Sequence, residues 1–187
     1  MKWSDVAAAA PELTATGEFA LTRNGLCIVA TLRADGSPRV SFVEATFVDG
    51  HLLLAMMRRS AKALDLLRDP RISVHNAVCT NLGTEQEYKV RGRATEVSDP
   101  VLRQHFVAIR GRVWGNRRFH LFAVDLESCG NGHLCRRRAA RDGVAEREAG
   151  GSALLNLGDR AGVEGLVGRR GNEPPQPKAA DLLLRCS

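Results

Sequence analysis

One stretch organises this chain: residues 51–68, which read HLLLAMMRRSAKALDLLR. The apolar run at residues 51–57 predicts a strand, and residues 61–68 predict a short helix. Ser60 stands where a helix-capping residue is expected. The turn between the two elements carries two arginines, and Lys62 follows it. The sequence therefore predicts a pocket for a phosphate group at this turn.

The chemistry of such a pocket follows from the residue types. The first N–H groups of a helix have no partner within the helix, and the helix dipole adds partial positive charge there. Arg59 and Lys62 supply full charges, and Ser60 supplies a hydroxyl, so several charge-assisted hydrogen bonds to one phosphate are available. Arg39 and Ser41, on a neighbouring predicted strand, offer polar contacts to the rest of a ligand. The alternative is an ordinary helix cap surrounded by solvated basic side chains.

The remainder of the first 128 residues predicts a mainly β protein. Turn pairs such as Asp35-Gly36 and Asp49-Gly50 lie between apolar runs and favour hairpins. A change in the polar alternation predicts a bulge near Phe42-Val43. Short hairpin-linked strands with few helices favour a small antiparallel split barrel of about six strands. Strands are predicted at residues 26–32, 38–48, 51–57, 71–78, 87–96 and 118–127, and helices at 5–10, 11–22, 60–68 and 99–110.

Composition divides the chain near residue 128. All nine aromatic residues lie before it, whereas residues 129–187 are rich in glycine and arginine. Such a segment buries too little apolar surface to offset its chain entropy, so a domain at 1–128 and a poorly ordered tail at 129–187 are predicted. The tail has two possible origins. It is either a natural linker or the product of a frameshift that replaced a terminal hairpin.

Charge and cysteine content limit the classes of function. The formal charge of +6 in 187 residues suits anionic small molecules and does not by itself indicate nucleic acid. No apolar run approaches the roughly 18 residues that span a bilayer, and the N-terminus does not resemble a secretion signal. The five cysteines have irregular spacing, which favours reduced thiols over disulfides or a metal site. We expect a cytoplasmic protein that has no metal and contacts neither nucleic acid nor membrane.

Three segments together resemble a known family. They read ATLRADGSPRVS at residues 30–41, DGHL at 49–52 and SAKALDLLRDPR at 60–71. Their order and spacing resemble the pyridoxamine 5'-phosphate oxidase-like split barrel, the superfamily of flavin- and deazaflavin-dependent oxidoreductases. Near the N-terminus, Trp3-Ser4 and the sequence APEL at 10–13 resemble an actinobacterial branch of that family.

The resemblance implies a homodimer with two cofactor sites at the subunit interface, each holding FMN or the deazaflavin coenzyme. It implies that Ser60 and Lys62 hold the phosphate, that Met56 and Met57 lie under the ring system, and that Trp114 reaches in from the partner subunit. The complete set of expected cofactor-binding residues is Arg39, Ser41, Met56, Met57, Arg59, Ser60, Lys62 and Trp114.

Two functions follow from these expectations. The first is an FMN- or deazaflavin-dependent oxidoreductase that acts on a small molecule, with no side chain identified as a catalytic acid or base. The second is a non-catalytic protein that holds flavin, haem or pyridoxal phosphate on the same fold. An interaction protein with a basic tail is a third possibility.

Overall fold

The computed structural model describes residues 1–79, 85–115, 117–133 and 153–156. These residues form one antiparallel sheet with short helices at its ends and on its outer face. The strands are β1 Cys27–Leu32, β2 Pro38–Val43, β3 Ala45–Val48, β4 His51–Met57, β5 Arg71–Asn76, β6 Gln86–Glu96, β7 Phe119–His133 and β8 Ala153–Asn156. The helices are α1 Trp3–Ala9, α2 Pro11–Thr22, α3 Ala61–Arg68, α4 Pro100–Arg110 and α5 Arg112–Gly115.

The sheet runs in the order β2-β1-β5-β6-β7-β4-β3. Every pair in it is antiparallel, and the first half of β7 pairs with β4 while its second half pairs with β8. The chain reverses between β3 and β4 at Asp49 and Gly50, whose φ angles are 49° and 74°. These positive values explain an Asp-Gly pair at this turn, because glycine adopts them without steric cost and aspartate tolerates them.

A single residue joins the two edges of the sheet. β2 ends at Val43 on one edge and β3 begins at Ala45 on the other, so only Glu44 separates them. Strands this close in sequence cannot lie at opposite sides of a flat seven-stranded sheet, so the sheet curls until its edges meet. The predicted antiparallel split barrel is thereby confirmed, and the irregularity predicted near Phe42-Val43 is a change of strand partner at Glu44.

Both faces of β4 are covered, which explains its unbroken apolar run. Leu52, Leu54 and Met56 face the barrel interior, where they join the larger core cluster. Leu53 and Ala55 face outward, into a second cluster that contains Phe106 of α4. A strand that packs on both faces has no polar alternation, so its sequence alone does not reveal which side chains share a face.

The N-terminal helices close one side of the larger core. The Trp3 ring lies 4.7 Å from that of Phe47, and its indole nitrogen donates a hydrogen bond to Glu18 at 2.7 Å. Gly17 of α2 lies directly against the buried ring of Tyr88. A residue without a side chain at position 17 lets the helix approach the sheet closely enough to cover that ring.

The last predicted strand is longer than the sequence indicates. Residues 118–127 were predicted, whereas β7 continues to His133 along the whole of β6, and residues 153–156 add β8. The rest of the segment predicted as a tail lies outside the described residues. Within the part of the chain that the structure describes, no helix has the length and apolar character needed to cross a membrane.

A bulge in the β6–β7 ladder makes one glycine indispensable. Arg91 pairs with Ser128 but Gly92 pairs with Leu126, so Glu127 is the extra residue. A Cβ atom at Gly92 would lie 2.1 Å from the backbone carbonyl oxygen of Asp125. Because backbone atoms within a ladder move only at the cost of hydrogen bonds, the position admits only glycine.

We therefore expect Gly92→Ala to lower the free energy of unfolding by about 3 kcal/mol, at the upper end of the range for overpacked sites. Urea denaturation measures this value. Gly115→Ala is the matched control, since a Cβ there meets only Val107 at an ordinary 3.5 Å. Equal stability of the two variants would contradict the geometry of the bulge.

Candidate functional site

The turn between β4 and α3 is held by its own backbone. The Ser60 amide donates to the Met57 carbonyl at 2.9 Å. The Ser60 carbonyl in turn accepts hydrogen bonds from the amides of Ala63 and Leu64, at 3.0 and 3.1 Å. Helix α3 therefore begins at Ala61, and Ser60 occupies the capping position that the sequence predicts.

The Ser60 hydroxyl does not cap the helix. A capping serine normally accepts a hydrogen bond from an amide in the first turn, but this oxygen is buried and has no partner among the described residues. A buried polar atom without a partner costs free energy. The atom lies at a helix N-terminus, where orphan amides and the helix dipole favour an anion. A ligand oxygen placed here satisfies the hydroxyl and the amides together.

Lys62 lies across the gap between α3 and the edge strand β2. Its ammonium group donates to the carbonyl oxygen of Phe42, and the residue as a whole is half-buried. This burial lowers the pKa of Lys62 from its ordinary value of 10.5. Beneath it, burial raises the pKa of the Cys27 thiol to about 12, so the thiol stays neutral. Lys62 therefore lies above a neutral thiol, and two of its three N–H groups remain for a ligand.

A buried carboxylate ties α3 to β1 and β2. Asp65 is 3% exposed and accepts hydrogen bonds from Arg39 at 2.6 Å, Thr31 at 2.9 Å and Arg68 at 3.2 Å. Burial by itself would raise the pKa of Asp65, but the hydrogen bonds from these three side chains outweigh it and hold the pKa below 3.8. The network fixes the angle of α3 against the sheet and so fixes the position of its N-terminus.

The structure brings four of the predicted site residues together. Arg39 and Ser41 lie on the same half-buried face of β2, beside the helix that carries Ser60 and Lys62. Arg39 donates to Asp65 through Nε, and its two terminal nitrogens have no hydrogen-bond partner among the described residues. These four residues therefore lie close together on β2 and at the start of α3.

The two methionines point in opposite directions. Met56 is 1% exposed and belongs to the interior core, whereas Met57 is 46% exposed at the end of β4. Successive side chains on a strand alternate between faces, so they do not lie together under one ligand. Arg59 is exposed in the turn itself.

Trp114 lies in the outer cluster of its own chain. Its ring is 5.2 Å from Phe119 and 6.4 Å from Phe106, and its indole nitrogen donates to Glu44 at 3.4 Å. These contacts within the chain explain the position of the Trp114 side chain without a bound ligand.

A sequence profile of the pyridoxamine 5'-phosphate oxidase family matches residues 13–129. The chain belongs to this family. The match contains the complete β4–α3 turn and the whole of β1 and β2. No curated protein matches the chain.

Solved structures share the barrel of this pyridoxamine 5'-phosphate oxidase family member at low sequence identity. A heme binding protein from Mycobacterium smegmatis is 17% identical, with a TM-score of 0.51, and the match covers 63% of this chain and 53% of that one. This chain thus spans about half the length of that neighbour. A proposed pyridoxamine 5'-phosphate oxidase from Listeria innocua is 13% identical, with a TM-score of 0.52 and coverage of 62% and 95%. The heme storage protein HutZ from Vibrio cholerae is 20% identical, with a TM-score of 0.50 and coverage of 64% and 90%. At these identities the likeness concerns the fold.

Asp65 was not among the predicted site residues, although the sequence contains a signal for it. Ala63 and Leu66 lie on the buried face of α3, and Asp65 is buried with them. A carboxylate on a buried helix face requires a cationic partner. Arg39, on the inward face of the edge strand β2, is that partner.

The network predicts a specific dependence of stability on pH. We expect Asp65→Asn to lower the free energy of unfolding by about 3 kcal/mol near pH 7, as when one partner is removed from a buried ion pair. The native-state pKa of Asp65 lies below its ordinary value of 3.8, so its contribution is complete above that pH and is lost as the pH falls through the native pKa.

Urea denaturation of both proteins at neutral pH and near pH 3 measures the effect. The difference between wild type and Asp65→Asn should shrink at the acidic end. A difference that stays constant across this range would contradict the assignment of a native carboxylate at Asp65.

Proposed function

We propose that this protein binds FMN, or the deazaflavin coenzyme, with its phosphate at the N-terminus of α3. The observation that carries the proposal is the buried Ser60 hydroxyl, which has no partner among the described residues and lies at a helix N-terminus. Lys62, half-buried beside it, supplies the positive charge that a phosphate requires.

One set of residues would bind the phosphate of such a ligand, and another set would contact its ring system. Ser60, Lys62 and the first amides of α3 hold the phosphate, with Arg59 in the turn as a further cation. Arg39 and Ser41 on β2 orient the ring system, and Asp65 keeps the Arg39 guanidinium in place through the 2.6 Å bond to Nε. Met57, exposed at the end of β4, offers an apolar contact, whereas the buried Met56 supports the strand from inside.

The activity we propose is an oxidoreductase that acts on a small molecule in the cytoplasm. When bound, the flavin or deazaflavin supplies the hydride chemistry, and the protein supplies binding and orientation. Cys27, Cys79 and Cys129 are free thiols in the structure, which suits a reducing compartment.

A non-catalytic carrier is the second candidate. Two neighbours of the same fold are described as heme binding and heme storage proteins, so heme is the alternative ligand to consider. In this chain, however, both ring nitrogens of His75 are engaged, with Asn76 and Glu87, and those of His120 with Glu96 and Arg58. These two histidines therefore offer no nitrogen to iron. The anion site at Ser60 and Lys62 supports a phosphate-bearing flavin.

We further propose that two copies of the chain associate through β2 and α3, with the cofactor between them. Val40 and Phe42 on the outer face of β2 are 69% and 60% exposed, and Leu64 and Leu67 on α3 are 51% and 48% exposed. The bond from Lys62 to the Phe42 carbonyl places the two elements side by side. Contiguous exposed apolar side chains of this kind mark an interaction surface.

The phosphate site is tested by comparing two ligands. We expect Lys62→Ala to weaken FMN binding by about 1.5–3 kcal/mol, the value of a hydrogen bond to a charged group. Riboflavin, which carries no phosphate, should bind wild type and variant equally. Absorbance or fluorescence titration with each ligand gives both affinities.

Arg33→Gln is the matched control, because it removes a positive charge from the hairpin at the opposite end of β2. It should leave FMN affinity unchanged. If Lys62→Ala weakens riboflavin as much as FMN, the phosphate lies elsewhere. If FMN binds wild type but neither NAD(P)H nor any supplied substrate reduces it, the carrier function replaces the oxidoreductase.

A substitution that introduces one negative charge into the apolar surface tests the proposed dimer. We expect Phe42→Asp to convert the dimer into a monomer, measured by sedimentation velocity, because a carboxylate in an apolar interface is costly. Phe19→Asp is the control, since Phe19 is 65% exposed on α2, away from β2 and α3. A wild-type monomer at all concentrations, or equal effects of both substitutions, would contradict this interface.

A further inference from the structure

A cleft beside the β4–α3 turn is lined by Arg58 and by neither Ser60 nor Lys62. It is an open cleft of about 590 Å³ lined by that turn, the end of β6, the start of β7 and helix α4. A volume of this size suits a small organic ligand. Its lining residues are Arg58, Glu96, Val97, Ser98, Arg103, Arg117, Arg118, Phe119 and His120.

The cleft carries a large excess of positive charge. Four of its lining residues are arginines, and Glu96 is the only carboxylate among them. Glu96 is already engaged, because its Oε1 lies 2.6 Å from Nδ1 of His120. Within the described parts of the chain, Arg58, Arg117 and Arg118 form no ion pair, so their charges are available to a ligand.

One guanidinium in the cleft is held in position by the protein. Arg103 donates from Nη1 to the Val97 carbonyl at 3.1 Å and from Nη2 to the Phe119 carbonyl at 3.2 Å. It also lies 4.7 Å from the centre of the Phe119 ring. A group fixed in this way loses little further entropy when it binds an anion.

The turn that carries Arg58 is likewise anchored to β7. The Nε2 atom of His120 lies 3.1 Å from the carbonyl oxygen of Arg58. The same ring contacts Glu96 through Nδ1, so both of its nitrogens are engaged. One histidine therefore fixes the backbone of Arg58 and engages Glu96.

We propose that this cleft binds a small molecule with two or more acidic groups, of which diphosphates are one source and polycarboxylates another. A guanidinium group forms paired hydrogen bonds to an oxyanion, so arginines on separate elements bind separate acidic groups of one ligand. Arg103 belongs to α4, and Arg117 and Arg118 precede β7, so these three are not part of the Ser60 and Lys62 site. The inference holds whether or not the protein binds a flavin.

Another cavity also contains arginines, but these arginines are paired with carboxylates. This cavity, of about 350 Å³, is lined in part by Arg71, Arg91 and Glu127. Arg71 is paired with Asp69 at 2.6 Å, and Arg91 lies 3.8 Å from Glu127. Its cations are thus matched by carboxylates, and Arg91 provides a control for the loss of one arginine from a cavity.

Isothermal titration of the full chain with inorganic pyrophosphate tests the proposal. We expect pyrophosphate to bind the wild type saturably. The double variant Arg117→Gln, Arg118→Gln should lose at least tenfold in affinity, because each substitution removes a charge-assisted hydrogen bond. Arg91→Gln should bind as wild type does. Orthophosphate should bind more weakly than pyrophosphate, because one anionic group engages fewer guanidinium groups.

Citrate distinguishes the two sources. If citrate binds more tightly than pyrophosphate, the cleft is assigned to polycarboxylates, and if pyrophosphate binds more tightly, it is assigned to diphosphates.

Lys62→Ala distinguishes the cleft from the Ser60 and Lys62 site. If pyrophosphate binding is lost in Lys62→Ala and kept in the double variant, the anion lies at the helix N-terminus, and the proposal is wrong. Absence of saturable binding of both anions, or equal loss in Arg91→Gln, also overturns it. Circular dichroism of each variant verifies that it is folded.

Discussion

Only Glu44 separates the two edge strands of the sheet, and this constraint determines the rest of the structure. Because β2 and β3 follow each other directly, the sheet must curl until its edges meet. The Glu44 side chain is held where this happens, by Arg110 at 3.4 Å and by the indole of Trp114 at 3.4 Å. Helices α4 and α5 thereby support the change of strand partner from outside the barrel.

Closure of the barrel creates the place where α3 packs. The helix follows β4 and lies beside β1 and β2, where Asp65 accepts hydrogen bonds from Thr31 and Arg39. A carboxylate buried to this extent is stable only with its partners, so helix and edge strand hold each other in place. The result is a fixed helix N-terminus with Ser60 and Lys62 at its first turn. On its other side, the same turn presents Arg58 to the basic cleft.

Local signals in the sequence predicted most of the elements. The bounds of α2, β4 and α4 agree with prediction, because proline at a helix start, the Asp-Gly turn and the Asp99-Pro100 pair act within a few residues. The turn between β4 and α3 was predictable for the same reason. Its basic residues, its serine and its helix are contiguous in the chain.

Features that depend on distant contacts were not predictable from local patterns. The extension of β7 to His133 depends on its pairing with β6, and its residues there, including Gly130 and Gly132, carry no strand signal of their own. Met56 and Met57 look equivalent in an apolar run, yet only the packing on both faces of β4 decides which one is buried. Asp65 and Trp114 likewise acquire their roles from partners 26 and 70 residues away.

The most direct test of the central claim is the ³¹P NMR spectrum of FMN added to the protein. A phosphate held by the Ser60 hydroxyl, the first amides of α3 and Lys62 should give a shifted and broadened resonance in the wild type. In Ser60→Ala that resonance should move back toward the position of free FMN. A bound flavin whose phosphate resonance is that of free FMN in wild-type protein would show that the phosphate lies in solvent, and would contradict the account.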